Sequence, residues 1–273
     1  MRRSQRLVVL TQFFLENPYT HIQLSSFVSR MEASKTSISE DLGILNDVFT
    51  AEGTGYLDIT AGAQGGVKYI PSMSHDNIHD FIGGLCKQLE DPSRLLTGGY
   101  LYMSDILGYP HTVQQIGRTF ASEFADRDID LVMTVATKGI PLAYAVGQYL
   151  GVPVVIARRD PIVTEGSSVS INYISGATRK IQTMVLPKRS LTIGSNVCIV
   201  DDFMKAGGTI TGMINLLKEF DANPSAIGVL AEADDEEDER IVEDYTSLIK
   251  IMDVDDRQGR ISVQPGNIIQ QNK

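Results

Sequence analysis

Cysteine is scarce in this chain of 273 residues, long apolar runs are missing, and positive charge is in deficit. The two cysteines, Cys86 and Cys198, lie far apart, and neither has a nearby partner at metal-ligand spacing. That excludes a disulfide scaffold and a zinc ribbon, and reads as two reduced core thiols in a cytoplasmic protein. No stretch approaches the ~20 apolar residues that a membrane helix requires, so no membrane partner is expected. The opening MRRSQRLVVLTQFFL has the basic start and apolar centre of a signal peptide. Thr11 and Gln12 interrupt it, however, and no small-residue cleavage site follows. With 24 Lys and Arg against 34 Asp and Glu, the net charge is −10, so no global field draws the chain to nucleic acid. Any DNA contact must come from local clusters. Glu232 precedes an acidic run, Asp234 to Glu239, and those six consecutive acids read as a solvated loop or helix start without a function.

What is present divides into two parts, 1–74 and 75–273. In the first, Leu7, Leu10 and Phe14 recur at helical spacing and predict a helix ending before Pro18. Leu24, Phe27, Val28 and Met31 predict a second helix, and Ile38, Leu42, Leu45 and Phe49 a third, with Ser37 and Glu40 spaced as a capping box. Tyr56–Thr60 and Val67–Pro71 then read as strands around a glycine-rich hairpin tip. Three helices and a hairpin make the winged helix-turn-helix plan. The third helix begins with short polar residues, of which Lys35, Thr36, Ser37 and Ser39 suit contact with bases and phosphates in a major groove. Arg2, Arg3 and Arg6 form a basic cluster fit for phosphate or minor-groove contact. Gln64 and Lys68 bound a wing tip placed to lie along the DNA backbone. A small dimerisation or docking domain fits the same pattern, and the near-neutral module, six basic residues against seven acidic, favours that alternative.

From about residue 75 helices and strands alternate. Helices are predicted over Asp76–Glu90, Val113–Ala125, Ile140–Tyr149 and Ile210–Phe220. Strands are predicted over Leu131–Ala136, Val154–Ala157, Val197–Val200, Ile227–Ala231 and Leu248–Met252, with a hairpin formed by Val169–Ile174 and Ile181–Leu186. Such alternation predicts a doubly wound, mainly parallel sheet, whose ligands sit at the carboxyl ends of strands. Two strand ends carry the chemistry. VCIVDDFMKAGGT, residues 197–209, runs from a buried strand into Asp201 and Asp202, then through Lys205, Ala206, Gly207, Gly208 and Thr209 into a helix. Free N–H groups of the turn and the helix dipole hold a phosphate, and the carboxylates accept bonds from ribose hydroxyls or lie beside Mg²⁺. The second strand ends in Thr137, Lys138 and Gly139, another strand, turn and helix start. Arg158 follows the strand at Val154–Ala157 and can clamp a pyrophosphate, a role open to Arg159 too. Tyr102 is placed to stack on a base or ribose.

The thirteen residues from 197 to 209 resemble the phosphoribosyl pyrophosphate (PRPP) signature of type I phosphoribosyltransferases. They depart at Lys205, where that family carries a small residue, and at Ala206, where it carries Thr. The resemblance implies that the Thr137–Gly139 loop binds pyrophosphate. It also implies that Asp160 to Lys188 is a flexible hairpin lid, with Arg179 at its tip facing PRPP. A winged helix fused to such a domain resembles the purine operon repressors of Gram-positive bacteria, through RLVVLTQFFLENP, SKTSISEDLGILND, GGVKYIP, VMTVATKGIPLAYA, VTEGSSVSINYISG and VDDFMKAGGT. Departures lie in the acidic run and in the short end ISVQPGNIIQQNK. This resemblance implies an α/β chain with an N-terminal winged helix and a phosphoribosyltransferase-like body. It further implies a homodimer that binds operator DNA and represses purine-synthesis genes, with PRPP, accompanied by Mg²⁺, as inducer and with no transferase activity. From loop chemistry alone, a guanine-containing alarmone nucleotide is expected to compete for the same site. Two rivals remain open: an active purine phosphoribosyltransferase with an accessory helical domain, and a metabolite sensor whose first module binds protein.

Overall fold

The computed structural model describes residues 1–60, 65–96, 100–160, 166–174, 181–234, 241–255 and 260–271. The first module is built from α1 (Arg3–Glu16), α2 (Leu24–Met31), α3 (Lys35–Ala51) and the antiparallel pair β1 (Gly55–Thr60) and β2 (Gly66–Pro71). The helical positions expected to be apolar converge: Leu10, Phe14, Phe27, Met31, Ile38, Leu42, Leu45 and Phe49 share one core with Leu57, Val67 and Tyr69 of the hairpin. The cap of α3 differs from the expectation. Ser34 is the N-cap and accepts a bond from the Ser37 N–H at 3.1 Å, so Ser37 is the third helical residue rather than the start of a capping box with Glu40.

The body continues with α4 (His75–Leu89), the short pair β3 (Leu95–Leu96) and β4 (Tyr100–Leu101), α5 (Ser104–Gly108), α6 (Pro110–Glu123), β5 (Leu131–Val135), α7 (Gly139–Leu150) and β6 (Val154–Ala157). The antiparallel hairpin β7 (Ser168–Ile174) and β8 (Ile181–Pro187) follows. Then come β9 (Asn196–Met204), α8 (Gly208–Lys218), β10 (Asn223–Ala233), β11 (Thr246–Asp255), β12 (Arg260–Pro265) and the short α9 (Ile268–Gln271). Six strands form one sheet in the order β12-β11-β10-β9-β5-β6. All neighbours pair in parallel except β12, which runs antiparallel to β11 along one edge. No strand was expected in ISVQP, whose residues alternate buried and less buried against β11.

Burial on both faces explains why the central strands read as apolar runs. On β9, Cys198 and Val200 face the core shared with α4, α6 and α7, while Val197 and Ile199 face the core shared with α8 and the hairpin. Both cysteines are free and buried. The crossover direction reverses between β5 and β9, since α7 leads outward to β6 and α8 leads the other way to β10. A doubly wound sheet opens a ligand crevice at that switch point. Among the described residues no helix is long and apolar enough to cross a membrane.

Candidate functional site

Asp201 and Asp202 stand at this switch point, within β9 rather than beyond it, because the pairing with β10 runs on through Asp201–Val229 and Met204–Glu232. Asp201 is 4% exposed, and its Oδ1 accepts the Asp202 N–H at 3.0 Å. Burial first, and then the neighbouring Asp202, push the Asp201 carboxyl well above the usual carboxylate range. Burial also raises Asp202, while the Lys138 ammonium pulls it back down. Among the described residues no cluster of three or more His, Cys, Asp or Glu forms a cage for a metal. Two adjacent carboxylates with no such cage suit Mg²⁺, which keeps waters and shares its other positions with ligand phosphates. Asp201 and Asp202 are therefore the pair that would hold it.

Two loops flank the carboxylates. After β9 the chain turns at Gly207, whose φ of +89° is a left-handed conformation that a side chain resists. A Cβ there would also come within 3.0 Å of Val242 Cγ2. The turn delivers Gly208 and Thr209 to the N-terminus of α8, and Lys205, Gly207, Gly208 and Thr209 line a small cavity of ≈ 40 Å³ beside Asp201. Ala206 supports the turn from below at 9% exposure, accepting the Ile241 N–H on its carbonyl. After β5 the second loop passes through a cis Ala136–Thr137 peptide bond, and Lys138 caps α7. Gly139 is packed so closely that a Cβ would clash with Thr134 Oγ1. That hydroxyl is itself buried without a hydrogen-bond partner among the described residues.

The two loops and the carboxylates open onto one cavity of ≈ 640 Å³. Thr137, Lys138, Arg158, Asp201, Asp202 and Thr209 line it, as the sequence suggested. Arg159, Asp160, Tyr173, Gln182 and Phe203 line it as well; Asp160, Tyr173 and Gln182 come from the segment expected to form the lid, though none was singled out in it. The hairpin is folded down onto α8: a Cβ at Gly212 would meet the Tyr173 ring at 2.9 Å, and the Tyr173 hydroxyl donates to Gln182 Oε1 at 2.9 Å. Arg158 and Val185 exchange backbone bonds of 3.0 and 2.7 Å, which fastens β8 to the end of β6. Tyr173 was missed because its distance along the chain from Asp201 hides their proximity. Phe203, one residue beyond the acids and 36% exposed on a central strand, carried a signal that was available. Tyr102, 44% exposed, is not among the lining residues, which moves it away from the expected stacking position. Arg179 lies outside the described residues. A second depression of ≈ 550 Å³ runs along α6, α7 and β6, but no charged side chain lines it, so it lacks the chemistry for phosphates.

In the first module, Lys35, Thr36 and Ser39 are exposed at the start of α3, while Ser37 is half-buried and takes part in the cap. The arginine cluster is not free as expected. Asp41 is fully buried and accepts from Arg6 Nε at 2.7 Å and Arg3 Nε at 3.1 Å, with Glu40 a further 3.7 Å partner of Arg3. The Arg6 side chain is only 12% exposed, so it serves the fold of the module by compensating a buried carboxylate. Arg2 is exposed. Lys68 lies 3.4 Å from Asp58 and over the Tyr19 ring, and Gln64 lies outside the described residues. Glu232, just before the acidic run, is buried and accepts bonds of 2.6 Å from Tyr245 and Ser247. Asp234 pairs with Lys250 at 2.8 Å, and the rest of the acidic run lies outside the described residues.

Comparison with known proteins adds sequence relationships to this geometry. The family model of the bacterial purine repressor N-terminal domain matches residues 2–71, and that of the phosphoribosyl transferase domain matches residues 103–262. The chain is 54% identical to the purine biosynthesis transcriptional repressor PurR of Bacillus subtilis, over 98% of this chain and 94% of that one. It is 42% identical to the purine biosynthesis transcriptional activator PurR of Lactococcus lactis, over 98% of each chain. Among solved structures, an adenine phosphoribosyltransferase of Thermoanaerobacter pseudethanolicus aligns with 55% of this chain and 87% of its own, at 22% identity and a TM-score of 0.49.

Proposed function

The chain belongs to the bacterial purine repressor family, and we propose that it represses purine-synthesis genes by holding operator DNA with its winged helix and releasing it when PRPP binds at the sheet crevice. Relatives along its full length are transcriptional regulators by name, and this chain is a regulator rather than an enzyme. The observation that carries the PRPP reading is that Thr137, Lys138, Arg158, Asp201, Asp202 and Thr209 line one cavity of ≈ 640 Å³, while Lys205, Gly207 and Gly208 line a small cavity that shares Asp201 and Thr209 with it. The loops supply N–H groups and cations for the phosphates, and the carboxylates suit ribose hydroxyls and Mg²⁺. A guanine-containing alarmone presents the same phosphate chemistry and competes for the cavity as co-repressor. Calorimetry in which PRPP and the nucleotide bind simultaneously would remove that part of the proposal. The protein acts as a homodimer on a two-fold operator.

A mobility shift on DNA from upstream of a purine-synthesis operon, with and without PRPP and Mg²⁺, tests the reading. Specific retardation that PRPP reverses is the expected result. Retardation strengthened by PRPP would make the protein an activator-like regulator, the sense in which the Lactococcus lactis relative is named. No retardation at low salt would return the winged helix to a protein-docking role. Release of pyrophosphate from PRPP and a purine base would establish a transferase instead.

A further inference from the structure

The junction between the two modules is built around a single arginine whose placement no fold requirement of the body explains. Arg118 projects from α6 and donates from Nη2 to the Gly53 carbonyl at 2.6 Å and to the Ser72 carbonyl at 2.8 Å, and from Nε to Ser72 at 3.1 Å. Gly53 lies in the turn that leaves α3 just before β1, and Ser72 is the first residue after β2. One planar guanidinium thus ties together both feet of the wing. Among the described residues it has no carboxylate partner within ion-pair distance, so its charge is met at this junction by carbonyl dipoles. The fixed fork of donors is what allows one side chain to reach two backbone strands at once.

The helix that carries this clamp is locked to the helix that begins at the phosphate loop. At Gly117 a Cβ would lie 2.6 Å from both the Ala145 backbone and its methyl group, so α6 and α7 approach closely at that point. The N-terminus of α7 is Gly139, directly after Lys138 of the cavity. Its far end, Gly151, abuts the first module too, since a Cβ there would stand 2.8 Å from the Pro18 carbonyl oxygen. The pair α6–α7 therefore spans from the cavity to the winged helix and meets it twice. Packed helices move as rigid elements, because close-packed interfaces do not deform continuously.

Building on the PRPP-responsive reading above, we infer that Arg118 is a positioning residue for operator recognition. It sets the wing relative to the effector domain, and through α6–α7 it conveys the state of the phosphate loop to the wing. The variants that test this are Arg118→Met, which keeps the stem and removes every donor, and Arg118→Lys, which keeps the charge but not the fork. Operator binding by full-length protein is measured at fixed salt by fluorescence anisotropy, with and without saturating PRPP and Mg²⁺. PRPP affinity is measured separately by calorimetry.

For Arg118→Met, operator affinity without ligand is expected to fall ~10-fold, and the factor by which PRPP weakens binding to shrink ~5-fold or more, within the usual span of coupling between sites. PRPP affinity should stay within about 2-fold, and Arg118→Lys should lie between the two. Hydrogen exchange should quicken in β1 and β2 and stay unchanged in β9. Unchanged operator affinity in Arg118→Met would overturn the positioning role whether or not PRPP acts on the protein. An equal loss of PRPP affinity would also overturn it, by revealing general damage. If Arg118→Met does not fold, wild-type operator affinity in Arg118→Lys overturns it. Wild-type protein that ignores PRPP would remove the coupling together with the functional reading, and the ligand-free affinities would still decide the positioning.

Discussion

Asp201 and Asp202 carry most of the chemistry that this site can perform, and their environment makes a pH prediction. Burial raises both carboxyls in the ligand-free protein, repulsion from Asp202 raises Asp201 further, and Lys138 partly offsets the rise at Asp202, whereas a Mg²⁺ ion or a ribose hydroxyl is best met by the ionised form. Binding therefore releases protons, and PRPP–Mg²⁺ affinity should rise with pH from the ordinary carboxylate value of ~3.9 until both groups are ionised. Calorimetry in buffers of different ionisation enthalpy would register the release, and pH-independent binding without it would contradict the assignment. The same shift has a stability consequence. A carboxyl whose folded-state pKa is raised stabilises the fold below its unfolded value, and that contribution is lost as pH rises through the folded value. Asp201→Asn should therefore flatten the alkaline side of the ligand-free stability curve while weakening PRPP binding and leaving operator binding intact. At the other end of the chain, Arg6→Met should lower the stability of the winged helix by ~3 kcal/mol, because it leaves the buried Asp41 with only the half-exposed Arg3 as its cation. Arg2→Ala should instead reduce the salt slope of operator binding by ~0.9, the value of one released phosphate contact. A salt slope altered by Arg6→Met and not by Arg2→Ala would reverse these roles. The sequence makes the arginine cluster visible, but not the buried Asp41, which is 35 residues away from Arg6.

Among the elements, the turn from β9 into α8 is the one most open to a local test. Gly207→Ala places a side chain at φ +89° and against Val242, a conformational cost of ~1–2 kcal/mol. It should abolish PRPP binding and leave operator affinity unchanged; normal PRPP affinity would mean that the loop does not cradle the phosphate. This turn was legible because its residue types are dictated locally: an apolar run for a strand buried on both faces, then glycine for a left-handed turn. The same holds for α1, α2 and the β1–β2 hairpin, whose spacings match their burial. Other elements escaped a local reading. The last strand, β12, is short and lies on the sheet edge, where fewer positions are fully buried, and α5 spans only five residues. The continuation of β9 through two carboxylates runs against strand propensity and is imposed by pairing with β10. Tyr173 and Gln182 enter the site only because β7 and β8 fold over α8.

At the scale of the whole molecule, the proposed function requires that a ligand at the crevice changes what the winged helix does. If PRPP prefers the DNA-free form ~100-fold, saturating ligand shifts operator binding by ~2.7 kcal/mol, within the normal range for allosteric coupling. That preference should appear reciprocally as a ~100-fold loss of PRPP affinity when operator DNA is saturating. Equal PRPP affinity with and without operator would show that the two sites are not linked. The sequence by itself determined the two modules, the parallel sheet, the carboxylate pair and the glycine turn that follows it, because each rests on residue types at fixed spacing along a few turns of chain. The tertiary structure alone decided which cations remain free for DNA, which side chains of the hairpin reach the cavity, and how Arg118 bridges α6 to the wing. Those contacts join residues tens of positions apart, so they depend on how surfaces pack in space.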